Sequence, residues 1–389
     1  MGKKVFWCTN CLNMSTRPRI KFDHRGWCNA CQWMEEKKQK VDWGKRKEEL
    51  HQLVDKYRNN ESGFDCIVPV SGGKDGSYVA YMLKHEFGMN PLAVTVRPAL
   101  ELELGSENLK NFINSGYDHI HVSPNAKVMR ILNKYGFIEK GFPYYGWLTA
   151  ILTSVIRTAA NYKIPLIFYG EDGEVEYGGS TETKNKSLFT VEYMKRVYLE
   201  GGYDKVLKIA KDKYGLTDSE LYFWKFPDLD EESNMYFTHW SYFEAWDSYR
   251  NYVIAKEHCG LKEREDTNEG TFTNFAQNDQ ALYALHAYLM YLKFGFGRAT
   301  QDAGIEIRRG AMQREQALNL VRLYDNQYPE VYEQLYLDYY EMTMDEFQAV
   351  LDKWVNRDLF EKIDGRWSPK FIVGEPFTIP DKKVTNSVA

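Results

Sequence analysis

One stretch of the chain decides its fold: Cys66-Ile67-Val68-Pro69-Val70-Ser71-Gly72-Gly73-Lys74-Asp75-Gly76-Ser77. The first five residues predict a short buried strand, and the segment 77–87 that follows the glycines predicts a helix. Glycine tolerates positive φ and lets a ligand approach the backbone closely. Because the helix begins directly after the strand, its free N–H groups and its dipole favour an anion bound at this turn.

The side chains of the turn suit a phosphate group that carries Mg²⁺. Ser71 and Ser77 offer hydroxyl donors, and Lys74 offers a positive charge. Asp75 would repel a bare phosphate, so we predict that it holds Mg²⁺. The turn is not a Walker A loop, because Lys74 is followed by Asp75 instead of Ser or Thr. The alternative is an ordinary glycine-rich turn between a strand and a helix.

Strands and helices alternate after this turn. Three more strands are predicted at 92–96, 119–122 and 166–169, with helices at 106–115 and 145–162 between them. This alternation predicts an α/β fold with a parallel sheet covered on both faces. From about residue 190 onward the pattern predicts mainly helices, at 190–212, 217–224, 241–258, 277–294, 313–325, 329–340 and 343–356.

Four of the six cysteines form two Cys-x-x-Cys pairs, Cys8 with Cys11 and Cys28 with Cys31. Sixteen residues separate the pairs, and four thiolates at this spacing can surround Zn²⁺ tetrahedrally. So short a segment builds no core of its own, so the metal would supply its folding energy. Four thiolates leave no open position, which predicts a structural zinc. An iron–sulfur cluster and a redox dithiol pair are the alternatives.

These patterns predict three parts. Residues 1–45 form a zinc-binding ribbon, 46–200 an α/β core that binds the nucleotide, and 201–389 a mostly helical region for substrate or partner. The charged segment 41–62 is predicted to be a helix that joins the first two parts. The end of the chain, 365–389, is predicted to be an irregular tail.

Charge and hydropathy exclude some classes of function. The formal net charge of -5 argues against a general nucleic-acid binder, which usually presents a basic face. No apolar run reaches the length of a membrane span, and the first residues lack the apolar stretch of a signal peptide. We therefore expect a cytoplasmic protein without membrane or nucleic-acid partners.

The turn at 71–77 resembles the PP-loop of the N-type ATP pyrophosphatases, whose pattern begins Ser-Gly-Gly-x-Asp. The resemblance implies an adenine-nucleotide α-hydrolase-like sheet, with ATP and Mg²⁺ at the turn. It also implies cleavage between the α and β phosphates and transfer of AMP to a substrate oxygen. Gly76 stands where Ser is common, and Ser77 is the candidate replacement. Thr95 and Arg97 end the second strand, where related enzymes hold adenosine.

A larger set of motifs resembles the N-acetyl sugar amidotransferases of bacterial surface-polysaccharide and nonulosonic-acid pathways. It spans about residues 5–360 and comprises the cysteine-rich N-terminus, SGGKDGSYVAYMLK from Ser71, Gly170–Gly179, Gly295–Thr300, Ile307–Gly310 and Arg314–Ala317. The resemblance implies that an acetamido oxygen of a free or nucleotide-linked N-acetyl sugar is adenylated. Ammonia then replaces AMP and gives an acetamidino sugar for lipopolysaccharide, O-antigen or nonulosonic-acid synthesis. Such a step needs a site from which water is excluded, because water would hydrolyse the activated imidate.

The source of ammonia is informative, because a glutaminase of the usual kind needs a nucleophilic cysteine. Outside the zinc set only Cys66 and Cys259 remain. Cys66 falls within a buried strand and Cys259 closes a helix, so we expect both to be structural. A separate glutaminase subunit, with a synthase-like subunit that delivers ammonia, is the expected partner.

An acidic loop follows the fourth strand, where ligands of open α/β sheets bind. Glu171 is a candidate catalytic residue that binds Mg²⁺ or orients ammonia, and Gly170 a candidate contact of the nucleotide. Asp172 and Glu176 are candidate substrate-binding residues. The alternative is a solvated acidic loop.

Arginines near glycines form a second group of candidates, namely Arg298, Arg308, Arg309 and Arg314. Arginine recognises phosphate with two hydrogen bonds, so the first three are predicted to bind the phosphates of a nucleotide sugar. Surface ion pairing is the alternative. His286 on a predicted helix is expected to be a packed residue.

Two other functions stay open at this point. A tRNA-modifying PP-loop enzyme of the thiolase type is one, since several such enzymes carry zinc ribbons, although thiolases usually need cysteines in the core. A nucleotide-binding scaffold without catalysis is the other.

Overall fold

The computed structural model describes residues 2–59, 63–228 and 235–380. Its strands are β1 Lys3–Val5, β2 Cys66–Pro69, β3 Pro91–Val96, β4 His119–Val122, β5 Leu166–Tyr169, β6 Tyr236–His239, β7 Phe360–Ile363, β8 Arg366–Pro369 and β9 Phe377–Ile379.

The helices, in chain order, are α1 Asn29–Gln39, α2 Trp43–Tyr57, α3 Lys74–Tyr81, α4 Glu103–Asn114, α5 Ala126–Lys140, α6 Tyr145–Tyr162, α7 Gly173–Tyr177, α8 Val191–Tyr193, α9 Tyr203–Tyr214, α10 Trp240–Phe243, α11 Ser248–Cys259, α12 Leu282–Phe294, α13 Arg298–Arg309, α14 Arg314–Tyr324, α15 Glu333–Tyr340 and α16 Met344–Trp354. Helices α3 and α8 each continue into a wider π-helical turn. None of the helices in the described part of the chain has the length and apolar character that a membrane crossing requires.

The central sheet has five parallel strands in the order β4-β3-β2-β5-β6. From β2 the chain runs outward through β3 to β4 and then returns to the other side of β2 for β5 and β6. The order therefore reverses between β2 and β5. In open parallel sheets, ligands bind at the carboxyl ends of the strands beside this reversal. The expected α/β class with a parallel sheet is confirmed, and so are the four predicted strands.

One strand of the sheet was missed. Strand β6 falls in the range 201–389 that the sequence analysis assigned to the helical region, so the α/β core takes part of its sheet from beyond residue 200. The segment Tyr236-Phe237-Thr238-His239 is short and half polar, and only pairing with β5 makes it a strand. Helix α5 was missed as well.

The expected irregular tail contains two strands in its described part. Strand β8 pairs with β7, and β9 pairs antiparallel with β1 in the register Lys3↔Ile379 and Val5↔Phe377. Because β1 and β9 pair across opposite ends of the chain, neither segment has a local sequence pattern that predicts a strand. Residues 381–389 of that tail and residues 60–62 of the predicted helix 41–62 lie outside the described residues.

The N-terminal segment shares a core with the C-terminal helices. Val5, Trp7 and Met14 are buried among side chains such as Leu285 and Phe347. Two other cores lie at the central sheet. The N-terminal segment is thus packed on the helical region.

Gly72 offers a test of the turn after β2. It has a φ of +79°, and a Cβ there would lie 2.3 Å from the backbone nitrogen of Leu109. We expect Gly72→Ala to lower the free energy of unfolding by about 1–3 kcal/mol, through strain and overpacking. Gly73→Ala is the matched control, because its Cβ would meet only the Ser71 hydroxyl, at 3.2 Å. Equal thermal denaturation midpoints for the two variants would contradict the described turn.

Candidate nucleotide and substrate cleft

Two adjoining cavities open at the carboxyl ends of the strands. The main cleft has a volume of about 290 Å³ and lies between the turn after β2 and helix α13. The side cavity, of about 200 Å³, lies beyond the ends of β2 and β3. The two share Ser71, Gly105, Asp279 and Tyr283. One extended ligand can therefore occupy both cavities and pass over the turn.

The turn after β2 forms one wall of the main cleft. Ser71, Gly73, Lys74, Asp75 and Gly76 all line it. Gly73 is the N-cap of α3 and has no side chain to bond the first N–H groups of the helix. Those groups and the positive end of the helix dipole make this wall suited to an anion.

Two residues of the predicted turn do not line the cleft. Gly72 instead packs against the backbone of Leu109. Ser77 is fully buried on α3, and its hydroxyl has no hydrogen-bond partner. The Ser77 hydroxyl is therefore not exposed to the cleft, and the expected contacts of both residues with a nucleotide stay predictions. A Cβ at Gly76 would lie 2.7 Å from the Pro69 carbonyl oxygen, which explains the glycine.

Charged side chains from two loops meet in the main cleft. Lys74 forms an ion pair with Asp75, and the Asn251 amide donates to the other Asp75 oxygen at 3.2 Å. The Tyr177 hydroxyl donates to Glu171 Oε1 at 3.0 Å. Asp75 follows β2 and Glu171 follows β5, so the pairing of these strands brings the two carboxylates together. The sequence-predicted catalytic residues thus share one wall.

Glu171 has an unusual pKa for a carboxyl group. Burial and the negative charge of Asp75 raise the pKa of Glu171 to about 7, and the charge of Lys74 opposes the shift only in part. A carboxyl group that titrates near neutrality can either accept a proton or bind a cation. The carboxylates of Asp75 and Glu171 have the oxygen chemistry that Mg²⁺ prefers.

The side cavity is mainly apolar. Its walls include Val94, Val96, Leu109, Ile151 and Val155, with Trp147 beside them. Thr95 lines it too, but its hydroxyl donates to the Val70 carbonyl at 2.6 Å and contacts the His119 ring at 2.9 Å. Arg97 lines neither cavity and pairs with Glu101. A flat apolar group such as a nucleobase suits this space.

Gly170 and Asp172 of the acidic loop after β5 have different surroundings. Gly170 lies against Trp246 and the Asp75 side chain, where a Cβ would come within 3.2 and 3.4 Å of them. Asp172 caps α7 through the Glu174 N–H and also accepts from Thr183.

Glu176 has partners in the N-terminal segment. Its carboxylate accepts from Trp33 Nε1 at 2.9 Å and from Lys37 Nζ at 2.7 Å. Neither Asp172 nor Glu176 lines the main cleft, so their assignment as substrate ligands is corrected. They hold the loop in place.

Only one of the three candidate arginines lines the cleft. Arg298 does so and lies 3.3 Å from Asp302. Arg309 pairs with Glu306 at 2.8 Å, and the buried Arg308 donates to the Glu176 carbonyl oxygen at 3.2 Å. The prediction of phosphate binding is corrected for Arg308 and Arg309. Ion pairing, the alternative reading, describes Arg309.

The sequence analysis missed Asp279, which lines both cavities. Burial raises the pKa of Asp279 to about 7, against the opposing charge of Arg298. Its Oδ2 atom has no hydrogen-bond partner. Asp279 therefore faces the Glu171 wall as a second carboxyl group that titrates near neutrality. No local motif marks this residue, since Asn278-Asp279-Gln280 looks like an ordinary helix-capping turn.

The four N-terminal cysteines form one buried cluster. Their sulfur atoms all lie within 4.8 Å of one another. Such a set fits a tetrahedral Zn²⁺, and no further ligand position stays open. N–H groups approach the sulfurs of Cys8, Cys11, Cys28 and Cys31 at 3.1–3.4 Å, from Cys28 and Asn13 backbone groups and from the Asn10 and Asn13 amides. These donors offset the negative charge of thiolates, as a zinc site requires.

Cys66, Cys259 and His286 line neither the main cleft nor the side cavity. Cys66 and Cys259 are buried in one core of the sheet. Burial raises the pKa of the Cys259 thiol to about 11, and it raises that of Cys66 further. His286 packs against Phe142 and Tyr144, and burial lowers its pKa to about 3. The expectation that these residues are structural is consistent with their positions.

Comparison with known proteins gives a family for the C-terminal part. Residues 269–371 match the family model for the C-terminal domain of LPS biosynthesis proteins that are WbpG-like. This segment is thus similar to the WbpG-like C-terminal domain, which agrees with the resemblance to surface-polysaccharide proteins. A stretch of 105 residues is also 29% identical to an uncharacterized protein of Methanocaldococcus jannaschii. That match covers 27% of this chain and 37% of the relative's length.

Two solved structures are also similar to this chain. The NH3-dependent NAD synthetase from Campylobacter jejuni matches with 15% identity over 49% of this chain and 100% of its own, at a TM-score of 0.28. The U34-tRNA thiolase NcsA from Methanococcus maripaludis, solved with its [4Fe-4S] cluster, matches with 14% identity over 68% of this chain and 77% of its own, at a TM-score of 0.31. These likenesses are distant, and the strand order of this protein rests on its own pairing.

Zinc removal tests the cysteine cluster. We expect one Zn²⁺ per chain in protein purified without added metal, and we expect Cys28→Ser to lose it. Because Trp7 and Met14 of this segment lie in the C-terminal core, the variant should also unfold at lower temperature. Metal analysis and thermal denaturation measure both effects. Cys259→Ser is the control that keeps zinc, and a folded, iron-containing protein would contradict the assignment.

The raised pKa of Glu171 predicts a stability effect with a defined sign. The folded protein favours the protonated form, so ionisation costs stability as pH rises from the ordinary value of 4.5 through about 7. Glu171→Gln removes that cost. In the ligand-free protein it should raise the free energy of unfolding by on the order of 1 kcal/mol at pH 8 and change little at pH 4.5. Denaturant titrations at both pH values measure this effect. A lower free energy of unfolding for Glu171→Gln at pH 8 would mean that the ionised Glu171 side chain does not destabilise the folded protein.

Proposed function

We propose that this protein is an ATP-dependent amidotransferase that converts the acetamido group of an N-acetyl sugar, free or nucleotide-linked, into an acetamidino group. The observation that carries the proposal is the main cleft, where an anion-binding turn faces carboxyl groups that titrate near neutrality. The WbpG-like domain of LPS biosynthesis proteins supports a sugar of a surface polysaccharide as the substrate class. The family match supports the substrate class only, so the proposed reaction rests on the chemistry of the cleft.

ATP fits the two cavities together. Its adenine would occupy the apolar side cavity, and its phosphates would lie along Ser71, Gly73 and the start of α3. Lys74 would neutralise phosphate charge, while Asp75 and Glu171 would hold Mg²⁺. The bound ion would supply charge stabilisation for the leaving pyrophosphate. This placement uses every polar group of the turn that lines the cleft.

The first step activates a poor electrophile. The acetamido oxygen attacks the α phosphorus of ATP, and the bond between the α phosphorus and the bridging oxygen of pyrophosphate breaks. The oxygen then carries AMP, and the former carbonyl carbon is open to attack. An amide without this activation is a weak acceptor, since no good leaving group is present. The positive groups at the turn favour the negative charge that develops on the departing phosphates.

The second step forms the amidine. The lone pair of ammonia attacks the activated carbon, the added nitrogen gives a proton to a carboxylate, and AMP leaves with the electrons of the carbon–oxygen bond. The products are an acetamidino sugar, AMP and pyrophosphate. Asp279 is the carboxylate positioned for the proton, because it lines the cleft, has a pKa near 7 and is not one of the proposed Mg²⁺ ligands.

The nitrogen would come from a separate protein. Cys66 and Cys259, the cysteines outside the zinc cluster, are buried and line neither cavity. A glutaminase of the usual kind needs an accessible cysteine nucleophile, so a glutaminase subunit is the expected supplier, with a synthase-like subunit to deliver ammonia. The sugar would lie toward α13, where Arg298 offers a positive charge for its nucleotide phosphates.

A tRNA-modifying thiolase is the alternative. Such an enzyme usually carries sulfur or a cluster on cysteines at its active site. Among the residues that the structure describes, those that line the main cleft include no cysteine. The net charge of -5 also disfavours a tRNA partner. The amidotransferase is therefore the better-supported function.

A direct assay tests the proposal. The protein is incubated with ATP, Mg²⁺, ammonium chloride and a panel of free and UDP-linked N-acetyl hexosamines, and the products are analysed by high-resolution mass spectrometry. Replacement of oxygen by NH lowers the mass by about one unit, with equimolar pyrophosphate and AMP. Pyrophosphate release that depends on tRNA and not on any sugar would favour the thiolase. No nucleotide turnover with any acceptor would favour a scaffold.

Asp75→Asn tests the assignment of the metal ligand. The variant keeps the size of the side chain and its contact with Asn251 but loses the charge. We expect sugar-dependent pyrophosphate release to fall by on the order of 10²-fold or more, while the variant stays folded by circular dichroism. The exposed Asp212→Asn on α9 is the control. Retained activity in Asp75→Asn would mean that this residue does not hold Mg²⁺.

A further inference from the structure

A third, much smaller cavity lies directly behind the main cleft. Its volume is about 20 Å³, and it shares Gln277, Tyr283 and Arg298 with the cleft. A space of this size holds one or two molecules as small as water or ammonia and excludes a sugar or a nucleotide. Only a very small molecule could therefore occupy this cavity beside the cleft.

The wall of this cavity contains a buried amide without protein partners. Gln280 is 1% exposed, and neither its Oε1 nor its Nε2 makes a hydrogen bond of normal geometry with the protein, although the Tyr283 hydroxyl lies nearby. A buried polar group left unpaired costs on the order of 1–3 kcal/mol. A small ligand that both donates and accepts hydrogen bonds would remove that cost.

The backbone holds the Gln280 segment in place on both sides. Residue Leu102 donates its N–H to the Asp279 carbonyl oxygen at 3.0 Å, and Ala281 donates to the Leu100 carbonyl oxygen at 2.9 Å. The Tyr336 hydroxyl adds a hydrogen bond to the Ala281 carbonyl oxygen at 2.8 Å. The amide therefore keeps its position at the cavity instead of turning to find another partner.

The far end of the cavity is formed by an ion pair and a tyrosine. Arg264 pairs with Glu269 at 2.7 Å, and both side chains are partly exposed, as is Tyr332. The near end meets the main cleft at the shared residues Gln277, Tyr283 and Arg298, and Asp279 lines the cleft on its side of them. The order from surface to cleft is thus an ion pair, a buried amide and the cleft that contains Asp279.

We propose that this cavity is the entry and holding site of ammonia, with Gln280 as the residue that positions it and Asp279 as the carboxylate that receives its proton. The proposal rests on the amidotransferase function and assigns the route of its nitrogen substrate. Gln280 Oε1 accepts an N–H of ammonia and leaves the nitrogen lone pair for the activated carbon. When the carbon–nitrogen bond forms, the added nitrogen gives one proton to Asp279, and AMP departs with the electrons of the broken carbon–oxygen bond.

The species in the cavity is neutral ammonia. A space of one or two small molecules has no room for the hydration shell of ammonium, and an ion without that shell is strongly disfavoured. The charged side chains of the wall also disfavour a cation, because Arg264 and Arg298 are positive and Glu269, the one carboxylate among the described residues of the wall, is already paired with Arg264. A buried structural water is the competing occupant, and the experiment separates the two.

Two variants test the proposal with ammonium chloride as the nitrogen source. Gln280→Leu removes the amide, and Ala284→Leu fills the cavity without changing any polar group. Both should raise the KM for ammonium about tenfold or more. Exchange of labelled pyrophosphate into ATP, driven by the acetamido sugar found active in the panel and measured without ammonia, should stay unchanged. Ala284→Ser, which keeps the cavity open, is the matched control.

The outcomes are distinct. An unchanged KM for ammonium in both leucine variants, with exchange intact, would overturn the ammonia site and leave an ordinary buried water. Exchange that falls together with the use of ammonium would also overturn it, because the residues would then act on the fold or on ATP. Absence of sugar-dependent exchange in the unaltered protein would refute the amidotransferase itself, and the ammonia site with it.

Discussion

Strand β2 pairs with β5 in the register Ile67↔Ile167, and this contact brings the loops that follow both strands to one point. The turn with Lys74 and Asp75 follows the first strand, and Glu171 follows the second. Their charges meet at low exposure, which is why the Glu171 pKa rises toward neutrality. Both the anion-binding wall and the titrating group of the cleft depend on this pairing of distant strands.

The N-terminal segment supports the same loop from behind. Its four cysteines cluster around a space suited to Zn²⁺, and the surrounding residues bond to α7 and its flanks. Arg19 pairs with Glu174, and Trp33 and Lys37 share Glu176. The sequence suggests a catalytic role for this acidic loop, but Glu174 and Glu176 hold it against the N-terminal segment. A metal held by these cysteines would be connected to the loop that carries Glu171 through the contacts of Asn13 and Asn29 with Tyr177 and Gly179.

The WbpG-like domain supplies the opposite wall of the cleft. Arg298 lies at the start of α13, and Asp279 precedes α12. With Glu171 on the sheet side, the cleft has carboxyl groups on both sides and a cation near each of them, Lys74 beside Glu171 and Arg298 beside Asp279. An adenylated sugar between these walls would have the proposed metal ligands on one side and Asp279 on the other. Only a molecule as small as ammonia would reach it from the cavity lined by Gln280.

The sequence alone determined the features that depend on local chemistry: the strand and turn around Ser71, the parallel sheet, the cysteine quartet and Glu171 as the acidic partner. Periodicity, glycine placement and Cys-x-x-Cys spacing are local patterns, so they can be read without a structure. Only the tertiary structure decided which distant side chains face the cleft. Asp279 lines the cleft although no motif marks it. Arg308 bonds to the Glu176 carbonyl oxygen and the Glu176 carboxylate bonds to Trp33, so neither side chain lines the cleft. Segment 236–239 is a strand only because it pairs with β5. Such outcomes arise from contacts between residues far apart in the chain, which local sequence does not encode.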